Sequence, residues 1–296
     1  MFGLFSRKPQ VVKPIVQGFY ERITSSVQYV VADPETKRCA IIDPVLDFEE
    51  KSGSIGTRSV DTILTHIQAR GYQLEWILDT HPHADHLSAA AYLKDKTGVP
   101  MAIGARTVEV QKLWKDIYNL PEFPADGAQW DRLFADGETF AIGNCPVEVM
   151  HSPGHTLASI TYVVGDAAFI HDTLFMPDGG TARADFPGGD AATLYHSIEK
   201  ILALPPETRL FVCHDYGPDG RAIAWETTVA EQRARNKHVR AGISEAEFVK
   251  MRTERDKCLS VPQLLIPSIQ INLRAGELPP PEDNGISYIK VPLNRI

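Results

Sequence analysis

The sequence contains little cysteine, and its cysteines are not arranged to stabilise a small secreted domain. The four cysteines, Cys39, Cys145, Cys213 and Cys258, are widely spaced among 296 residues, and no CxxC pair occurs. Small secreted domains need a dense disulfide framework, whereas a chain of this length can bury a sizeable core. The cysteine content therefore predicts a cytoplasmic protein in a reducing compartment. Nothing in the sequence marks these thiols as covalent catalysts.

Basic tracts and long apolar runs are also missing. The formal net charge is −8, the isoelectric point is near 5.7, and no Lys/Arg-rich segment is present, which argues against binding to a nucleic-acid backbone. No run approaches the roughly 20 apolar residues of a membrane span. The start, MFGLFSRKP, places apolar residues before basic ones, the reverse of a secretion signal. We expect an acidic enzyme with no nucleic-acid and no membrane partner.

Apolar residues recur at strand spacing in some segments and at helix spacing in others. Residues 26–32 and 38–43 alternate around the turn at 33–36 and predict a β-hairpin. Ser59 is a candidate N-cap for a helix that ends at Gly71. Further strands are predicted over 75–80, 99–103, 146–151, 159–164, 167–170, 209–213 and 286–291, and further helices over 87–97, 106–118, 193–204, 226–239 and 244–257, the last opened by a capping box of Ser244 and Glu247.

Two successive runs of strands and helices indicate the fold class. They predict an α/β protein in which two sheets pack face to face with helices outside, an αββα sandwich, while periodicity alone leaves an ordinary α/β sheet open. We assign residues 1–296 to a single domain. Its core covers roughly 14–240, and residues 241–296 form a C-terminal helix and tail packed on that core.

Metal-binding residue types concentrate in one stretch, THPHADH, which contains His81, His83, Asp85 and His86. Imidazoles at alternate positions would point to opposite sides of an extended chain, so the chain must turn here for them to converge. Imidazole and carboxylate groups are common ligands of transition metals. A solvated histidine-rich loop is the alternative, but such a loop rarely combines these ligands directly after an apolar strand. The stretch therefore predicts a metal site.

Three more candidate ligands occupy the same context, a loop that follows a predicted strand. His155 lies in SPGHT, Asp172 in IHDTLF and His214 in CHDY. Binding sites gather where loops meet at one edge of a sheet. The common placement of these residues with THPHADH favours one shared site.

These four motifs resemble those of the metallo-β-lactamase superfamily, over roughly residues 14–240. The resemblance implies the αββα sandwich, with metals at the edge between its two sheets. It also implies a bridging role for Asp172 between two metal pockets. The first would be formed by His81, His83 and His155, and the second by Asp85, His86 and His214.

Within that superfamily the sequence is most similar to the persulfide dioxygenases, iron enzymes that oxidise glutathione persulfide with O₂ to sulfite and thiol. The similarity includes TARADF at 181–186 and TLYHS at 193–197. It implies one Fe(2+) per chain held by His81, His155 and Asp172, a facial triad with open positions for O₂ and substrate. It also implies a homodimer. The residues surrounding the iron ligands would then be His83, Asp85, His86 and His214.

Two other functions stay open, since the ligand inventory does not choose between iron and zinc. The first is a dinuclear zinc hydrolase of glyoxalase II type, in which the same residues hold two Zn(2+) per chain and activate water to attack a glutathione thioester. The second is a non-catalytic metal or sulfur sensor that keeps the pocket.

Substrate contacts and supporting residues are predicted less directly. Arg183 and Tyr216 are candidates for binding the glutathione moiety, because a guanidinium pairs with carboxylates and a phenol adds a neutral donor. Arg183 fits a structural ion pair with Asp185 equally well. His171, where many relatives have Gly, is predicted to pack beside the site without binding metal. Asp43 is assigned to a turn or to anchoring a loop.

Overall fold

The computed structural model describes residues 12–295, which form two six-stranded sheets and a smaller three-stranded one. In chain order the strands are β1 (Ile15–Tyr20), β2 (Val27–Ala32), β3 (Arg38–Ile42), β4 (Val45–Glu49), β5 (Ser54–Gly56), β6 (Gln73–Leu78), β7 (Leu87–Ser88), β8 (Met101–Gly104), β9 (Arg132–Phe134), β10 (Thr139–Ile142), β11 (Cys145–His151), β12 (Ile160–Val164), β13 (Ala167–Phe169), β14 (Arg209–Phe211) and β15 (Glu226–Thr228). The helices are α1 (Arg58–Arg70), α2 (Ala90–Thr97), α3 (Thr107–Ile117), α4 (Ala191–Leu202), α5 (Val229–Arg235), α6 (Glu245–Asp256) and α7 (Leu265–Asn272).

Parallel neighbours in each sheet bring the ligand-bearing loops to one edge. The first sheet has the order β1-β2-β3-β6-β8-β9, and its strands β3, β6, β8 and β9 run parallel. The second sheet has the order β10 to β15, with β13 parallel to β14. Parallel strands end at the same edge of a sheet. The loop after β6 therefore lies at the edge where β3 and β8 also end, and the loops after β13 and β14 lie together at one edge of the second sheet.

Three apolar layers explain why the chain folds as an αββα sandwich. Between the two sheets, Phe169 stacks on Phe211, and Tyr29 packs edge-to-face against both rings. On the outer face of the first sheet, α1 buries Val60, Ile63 and Ile67 at helical spacing. On the outer face of the second, α4 buries Leu194, Ile198, Ile201 and Leu202. The predicted fold class is therefore confirmed.

Most predicted elements are present, and one predicted cap is wrong. The hairpin of β2 and β3, the αL cap at Gly71 and the capping box of Ser244 and Glu247 are all found. Ser59 does not cap α1, because the N-cap is Thr57 and the Ser59 hydroxyl bonds to Asp47 instead. The carboxylate of Asp47 also accepts from the Ser59 backbone N–H at 3.0 Å.

Three other predicted segments differ because of the strands that lie, or do not lie, beside them. Leu87–Ser88 forms β7 against β4, so α2 begins only at Ala90. Glu226–Thr228 forms β15 against β14, and Thr228 then caps the short helix α5. Residues 286–291 form no strand, since Lys290 bonds to the Gln270 side chain and has no neighbouring strand as its partner. A strand pattern requires a neighbouring strand to pair with, which these residues lack.

Two compositional expectations can be compared with the structure. All four cysteines are free, with Cys258 exposed and the other three buried. No helix among the residues described is both long and apolar enough to cross a membrane. The prediction made for MFGLFSRKP falls on residues 1–11, outside the described range.

Candidate metal centre

The loop that follows β6 turns sharply and buries three imidazoles. His81, His83 and His86 are each no more than 2% exposed. Asp43 anchors this loop, because its carboxylate accepts from the backbone N–H and the hydroxyl of Thr80 at 2.7 and 2.9 Å. Asp43 itself follows β3 at a φ of 52°, in a left-handed conformation that Asp tolerates better than most residues. The predicted anchoring role of Asp43 is confirmed.

Each imidazole of the loop has one ring nitrogen bound to protein and the other without a partner. His81 Nδ1 lies 3.0 Å from Thr80 Oγ1, His83 Nε2 lies 3.0 Å from Asp43 Oδ1, and His86 Nδ1 lies 3.2 Å from Asp85 Oδ2. The opposite nitrogens, His81 Nε2, His83 Nδ1 and His86 Nε2, are buried and accept or donate no hydrogen bond within the described residues. Buried polar atoms of this kind are costly unless an additional group satisfies them.

His155 repeats this arrangement from the second sheet. Its Nδ1 bonds to the Arg183 carbonyl at 2.9 Å, and its Nε2 is buried without a hydrogen bond. The preceding Gly154 has a φ of 126°, and a Cβ there would lie 2.3 Å from the backbone of Leu194. Only glycine permits this approach to α4, so the SPGHT motif places His155 by packing against that helix.

Asp172 faces both groups of histidines with different oxygens. Its Oδ2 lies 3.4 Å from His155 Nε2 and 3.6 Å from His81 Nε2. Its Oδ1 lies 3.6 Å from His214 Nε2 and accepts from the Cys213 thiol at 2.7 Å. The carboxylate therefore stands between two sets of potential ligands, as expected for a bridging position.

His214 and Asp85 complete the second set. His214 Nε2 lies 3.1 Å from Asp85 Oδ2, and His214 Nδ1 bonds to the Ser25 carbonyl at 3.2 Å. Ser26 holds this set from the first sheet, because its hydroxyl donates to Asp85 at 3.1 Å and its backbone bridges to His214. The two sheets thus meet at this centre.

The electrostatics of the centre favour charged carboxylates. Burial raises the pKa of Asp172 and of Asp85, but the neighbouring imidazoles together, with His214 foremost, outweigh it and hold both pKa values well below the ordinary range. Burial lowers the pKa of His83 to about 4 and also lowers that of His155. Neutral imidazoles with free lone pairs and ionised carboxylates are the protonation states that bind metal.

The donor atoms are close enough to share ions. Ligand atoms of His81, His155 and Asp172 lie within 4.8 Å of one another. The same is true of the set formed by His83, Asp85 and His86 and of the set formed by Asp172, Cys213 and His214. Nitrogen and carboxylate donors suit zinc or iron. The residues present therefore fit a metal centre. The predicted first pocket differs in one member, since His83 lies with Asp85 and His86 and not with His81 and His155.

His171 supports the centre from within the second sheet. It is buried beside Asp172, and its Nε2 lies 2.8 Å from Ser152 Oγ and 2.8 Å from Thr173 Oγ1. Its φ is 40°, in the left-handed region that glycine adopts without cost. His171 therefore packs and hydrogen-bonds beside Asp172, in agreement with its predicted role.

A cavity of about 350 Å³ opens onto Asp85, His155, Asp172 and His214. Its walls include Phe175 and Tyr216, whose rings meet at 88°. Tyr216 is 62% exposed and stacks on His214. Tyr216, a predicted substrate contact, thus lines this cavity.

Three arginines line the cavity, and two of them are paired within the protein. Arg183 forms two bonds to Asp185, at 2.6 and 2.7 Å, and donates to the Ser260 carbonyl. Arg252 is buried and paired with Asp256. Arg255 has no acidic partner within 4.0 Å among the described residues. The sequence missed Arg252 and Arg255 because α6 reads as a solvated charged helix, although their i, i+3 spacing places both on one face.

The profile of the Metallo-beta-lactamase superfamily matches residues 23–214. The chain is 59% identical over 283 residues to the beta-lactamase hydrolase-like protein of Xylella fastidiosa (strain 9a5c), covering 96% of this chain and 65% of that protein. This chain therefore spans just under two thirds of the length of that relative.

Two other relatives match over most of their length. Glyoxylase B2 of Dictyostelium discoideum is 51% identical, with 95% of this chain and 98% of that protein covered. The mitochondrial persulfide dioxygenase ETHE1 of Homo sapiens is 30% identical, with 88% and 89% covered. Among solved structures, ETHE1 from Myxococcus xanthus superimposes with a TM-score of 0.72 at 27% identity, covering 89% of this chain and 100% of that one.

Proposed function

Since the chain belongs to the metallo-beta-lactamase superfamily, we propose that it is a metal-dependent enzyme acting on a small thiol derivative, with hydrolysis of a thioester as the favoured reaction. The observation that carries this proposal is the inward orientation of the unpaired nitrogens His81 Nε2, His83 Nδ1, His86 Nε2 and His155 Nε2. Glutathione is the thiol carrier that the sequence resemblance implies.

Hydrolysis by two zinc ions is favoured by the second set of ligands. One metal at His81, His155 and Asp172 would leave His83 Nδ1 and His86 Nε2 buried without partners, at a cost of about 1–3 kcal/mol for each group. A second ion held by His83, Asp85 and His86, whose ligand atoms lie within 4.8 Å of one another, would satisfy both nitrogens. The relatives at 51% and 59% identity carry glyoxylase and hydrolase-like names, which supports the same reading.

The residues of the chain have separable roles in such a reaction. Bound zinc would polarise the thioester carbonyl and lower the pKa of a water nucleophile. Asp43 and Thr80 fix the orientation of the imidazoles from behind, which preserves the lone pairs that bind the ions. Phe175 and Tyr216 form an apolar wall for the substrate, and Arg255 is placed to bind a carboxylate.

A persulfide dioxygenase is the second candidate, and the donor types of one ligand set favour it. His81 Nε2, His155 Nε2 and Asp172 lie within 4.8 Å of one another, the composition of a facial triad that leaves positions for O₂ and a persulfide sulfur when Fe(2+) is bound. The similarity to human and Myxococcus xanthus ETHE1 supports this candidate. His214, between Asp85 and Asp172, would then remain without metal; burial lowers its pKa, but these two carboxylates raise it to about 10.

Metal content and two activity assays distinguish these candidates. We expect the full chain, purified anaerobically, to bind two zinc ions and to hydrolyse S-lactoylglutathione. One iron per chain together with O₂ uptake on glutathione persulfide would replace hydrolysis by dioxygenation. Bound metal with neither activity would leave the sensor alternative. The single domain over 1–296, the homodimer and the cytoplasmic location stay predictions.

A further inference from the structure

We infer that Asn272, at the end of α7, is a positioning residue that holds the THPHADH loop in its metal-binding shape. This inference rests on the metal binding of the proposed function. Asn272 lies beyond residues 23–214, the part that matches the superfamily profile. The C-terminal segment would therefore complete a centre whose ligands all come from earlier in the chain.

Three hydrogen bonds connect this one side chain to the loop. The Asn272 amide nitrogen donates to the carbonyl of His83 at 2.8 Å and to that of His86 at 2.7 Å. Its amide oxygen accepts from the backbone N–H of Ser88 at 2.7 Å. The side chain is 2% exposed. Every hydrogen-bonding group of the Asn272 amide is thus used to fix the backbone on both sides of Asp85 and His86.

The loop has no repetitive backbone hydrogen bonding that could replace these contacts. Residues 79–86 contain no helix or strand, and the carbonyls of His83 and His86 are met by the Asn272 side chain across 186 residues or more of sequence. Buried carbonyls that lose their donors destabilise the conformation that buries them. Loss of Asn272 would therefore allow this segment to adopt other conformations in which His83 and His86 no longer face the ions.

The backbone around Asn272 is itself held firmly against the loop. Gln111 donates to the Leu273 carbonyl at 2.8 Å, and the Ala91 N–H donates to the Ala275 carbonyl at 3.0 Å. Gly276 has a φ of 92°, and a Cβ there would lie 2.4 Å from the Ser88 carbonyl oxygen. The segment is therefore in direct contact with β7, and Asn272 is presented to the loop on a rigid support.

Gln270 provides a matched control on the same helix. It is also a buried amide, but it donates to the carbonyl of Lys290 at 2.7 Å and accepts from the Lys290 N–H at 2.9 Å. Gln270 therefore holds the C-terminal tail, whereas Asn272 holds the metal loop. A defect confined to Asn272 would separate positioning of the loop from general loss of packing at α7.

The test is the zinc affinity of the 296-residue chain, measured by competition with a chromophoric chelator. Asn272→Asp keeps the acceptor for Ser88 and loses both donors, while Asn272→Ala loses all three bonds. We expect zinc to bind about 10–100-fold more weakly to both variants, the range typical of residues that orient metal ligands. Gln270→Ala should bind zinc as the unsubstituted chain does.

Three outcomes would overturn the inference. Equal zinc affinity of Asn272→Asp and the unsubstituted chain would show that the donors are unnecessary. Equal loss in Gln270→Ala would indicate a general packing effect. Unfolding of metal-free Asn272→Asp, seen by circular dichroism, would give the residue a role in the whole fold. If the unsubstituted chain bound neither zinc nor iron, the proposed function itself would be rejected. That outcome differs from a defect found only in the Asn272 variants.

Discussion

Asp172 and His214 approach each other through Oδ1 and Nε2, 3.6 Å apart, at the ends of two adjacent parallel strands. The other carboxylate oxygen, Oδ2, points to His81 and His155. One side chain therefore connects the ligands delivered by the two sheets. Its removal should affect both sets of ligands, unlike the removal of any single histidine.

Asp172→Ala should lose metal without unfolding. Asp172 faces both sets of candidate ligands. Loss of a residue that only orients metal ligands typically weakens metal binding about 10–100-fold, and we expect a larger loss of affinity here. Activity should fall with it. Elemental analysis after gel filtration measures the loss. Asp166→Ala removes an aspartate paired with Arg209, away from the centre, and should retain metal. Full metal content in Asp172→Ala would exclude its role as a ligand.

Arg255→Ala should weaken substrate binding. A guanidinium without an acidic partner at the cavity can bind a substrate carboxylate, and losing such a contact should raise KM about 10-fold with little change in kcat. Arg255→Lys should recover part of the effect. Arg58→Ala, at the start of the distant helix α1, serves as the control. An unchanged KM for Arg255→Ala would assign the carboxylate to another residue.

Arg183→Ala tests the two roles predicted for this residue. Its guanidinium already pairs with Asp185 and lies 4.8 Å from the Phe186 ring, so we expect chiefly a loss of stability, of about 1 kcal/mol or less for a partly exposed pair. Urea unfolding of Arg183→Ala, Asp185→Asn and the double variant measures the coupling. A large rise in KM in Arg183→Ala, absent from Asp185→Asn, would restore its role in binding substrate.

His238 should make the stability of the fold sensitive to acid. Its Nδ1 accepts from the Thr181 N–H at 3.0 Å, and burial lowers its pKa to about 3. The unfolded chain binds a proton at this histidine below its ordinary pKa of 6.5, whereas the folded chain does not. Stability is therefore present above pH 6.5 and is lost as the pH falls from 6.5 toward 3.

The comparison variant for this effect is His238→Asn, which keeps an acceptor and does not titrate. Urea unfolding at several pH values should show a smaller loss of stability between pH 6.5 and 4 in His238→Asn than in the unsubstituted chain. Other acidic groups titrate equally in both proteins, so the difference isolates this histidine. Identical slopes would mean that His238 protonates in the folded state without cost.

The metal ligands could be predicted from sequence because each follows a strand and because their chemical types are rare in combination. A local pattern of strand and loop marked His81, His155 and Asp172 as candidates, and the resemblance to a known superfamily grouped them as ligands. Asn272 and Arg255 could not be predicted, since their function depends on where α6 and α7 dock, and helical periodicity does not encode docking. Likewise, Glu226–Thr228 becomes a strand only because β14 lies beside it, a contact that no local pattern reveals.

Removing metal should lower the melting temperature of the chain. Without ions, His81 Nε2, His83 Nδ1, His86 Nε2 and His155 Nε2 are buried without hydrogen bonds, which raises the free energy of the folded state. Metal that binds only the folded chain stabilises it by about 2.7 kcal/mol at a concentration 100 times its Kd. For a domain of this size we expect a shift of about 5–10 °C.

Differential scanning calorimetry with EDTA, and then with added zinc or iron, measures this shift. Asp172→Ala should melt at the same temperature with and without metal, because it cannot hold the ions. The ion that restores the higher melting temperature at the lower concentration is the better fit to the centre, which also bears on the choice between hydrolysis and dioxygenation. If neither EDTA nor added metal changed the melting temperature of the unsubstituted chain, these buried imidazoles would not be metal ligands.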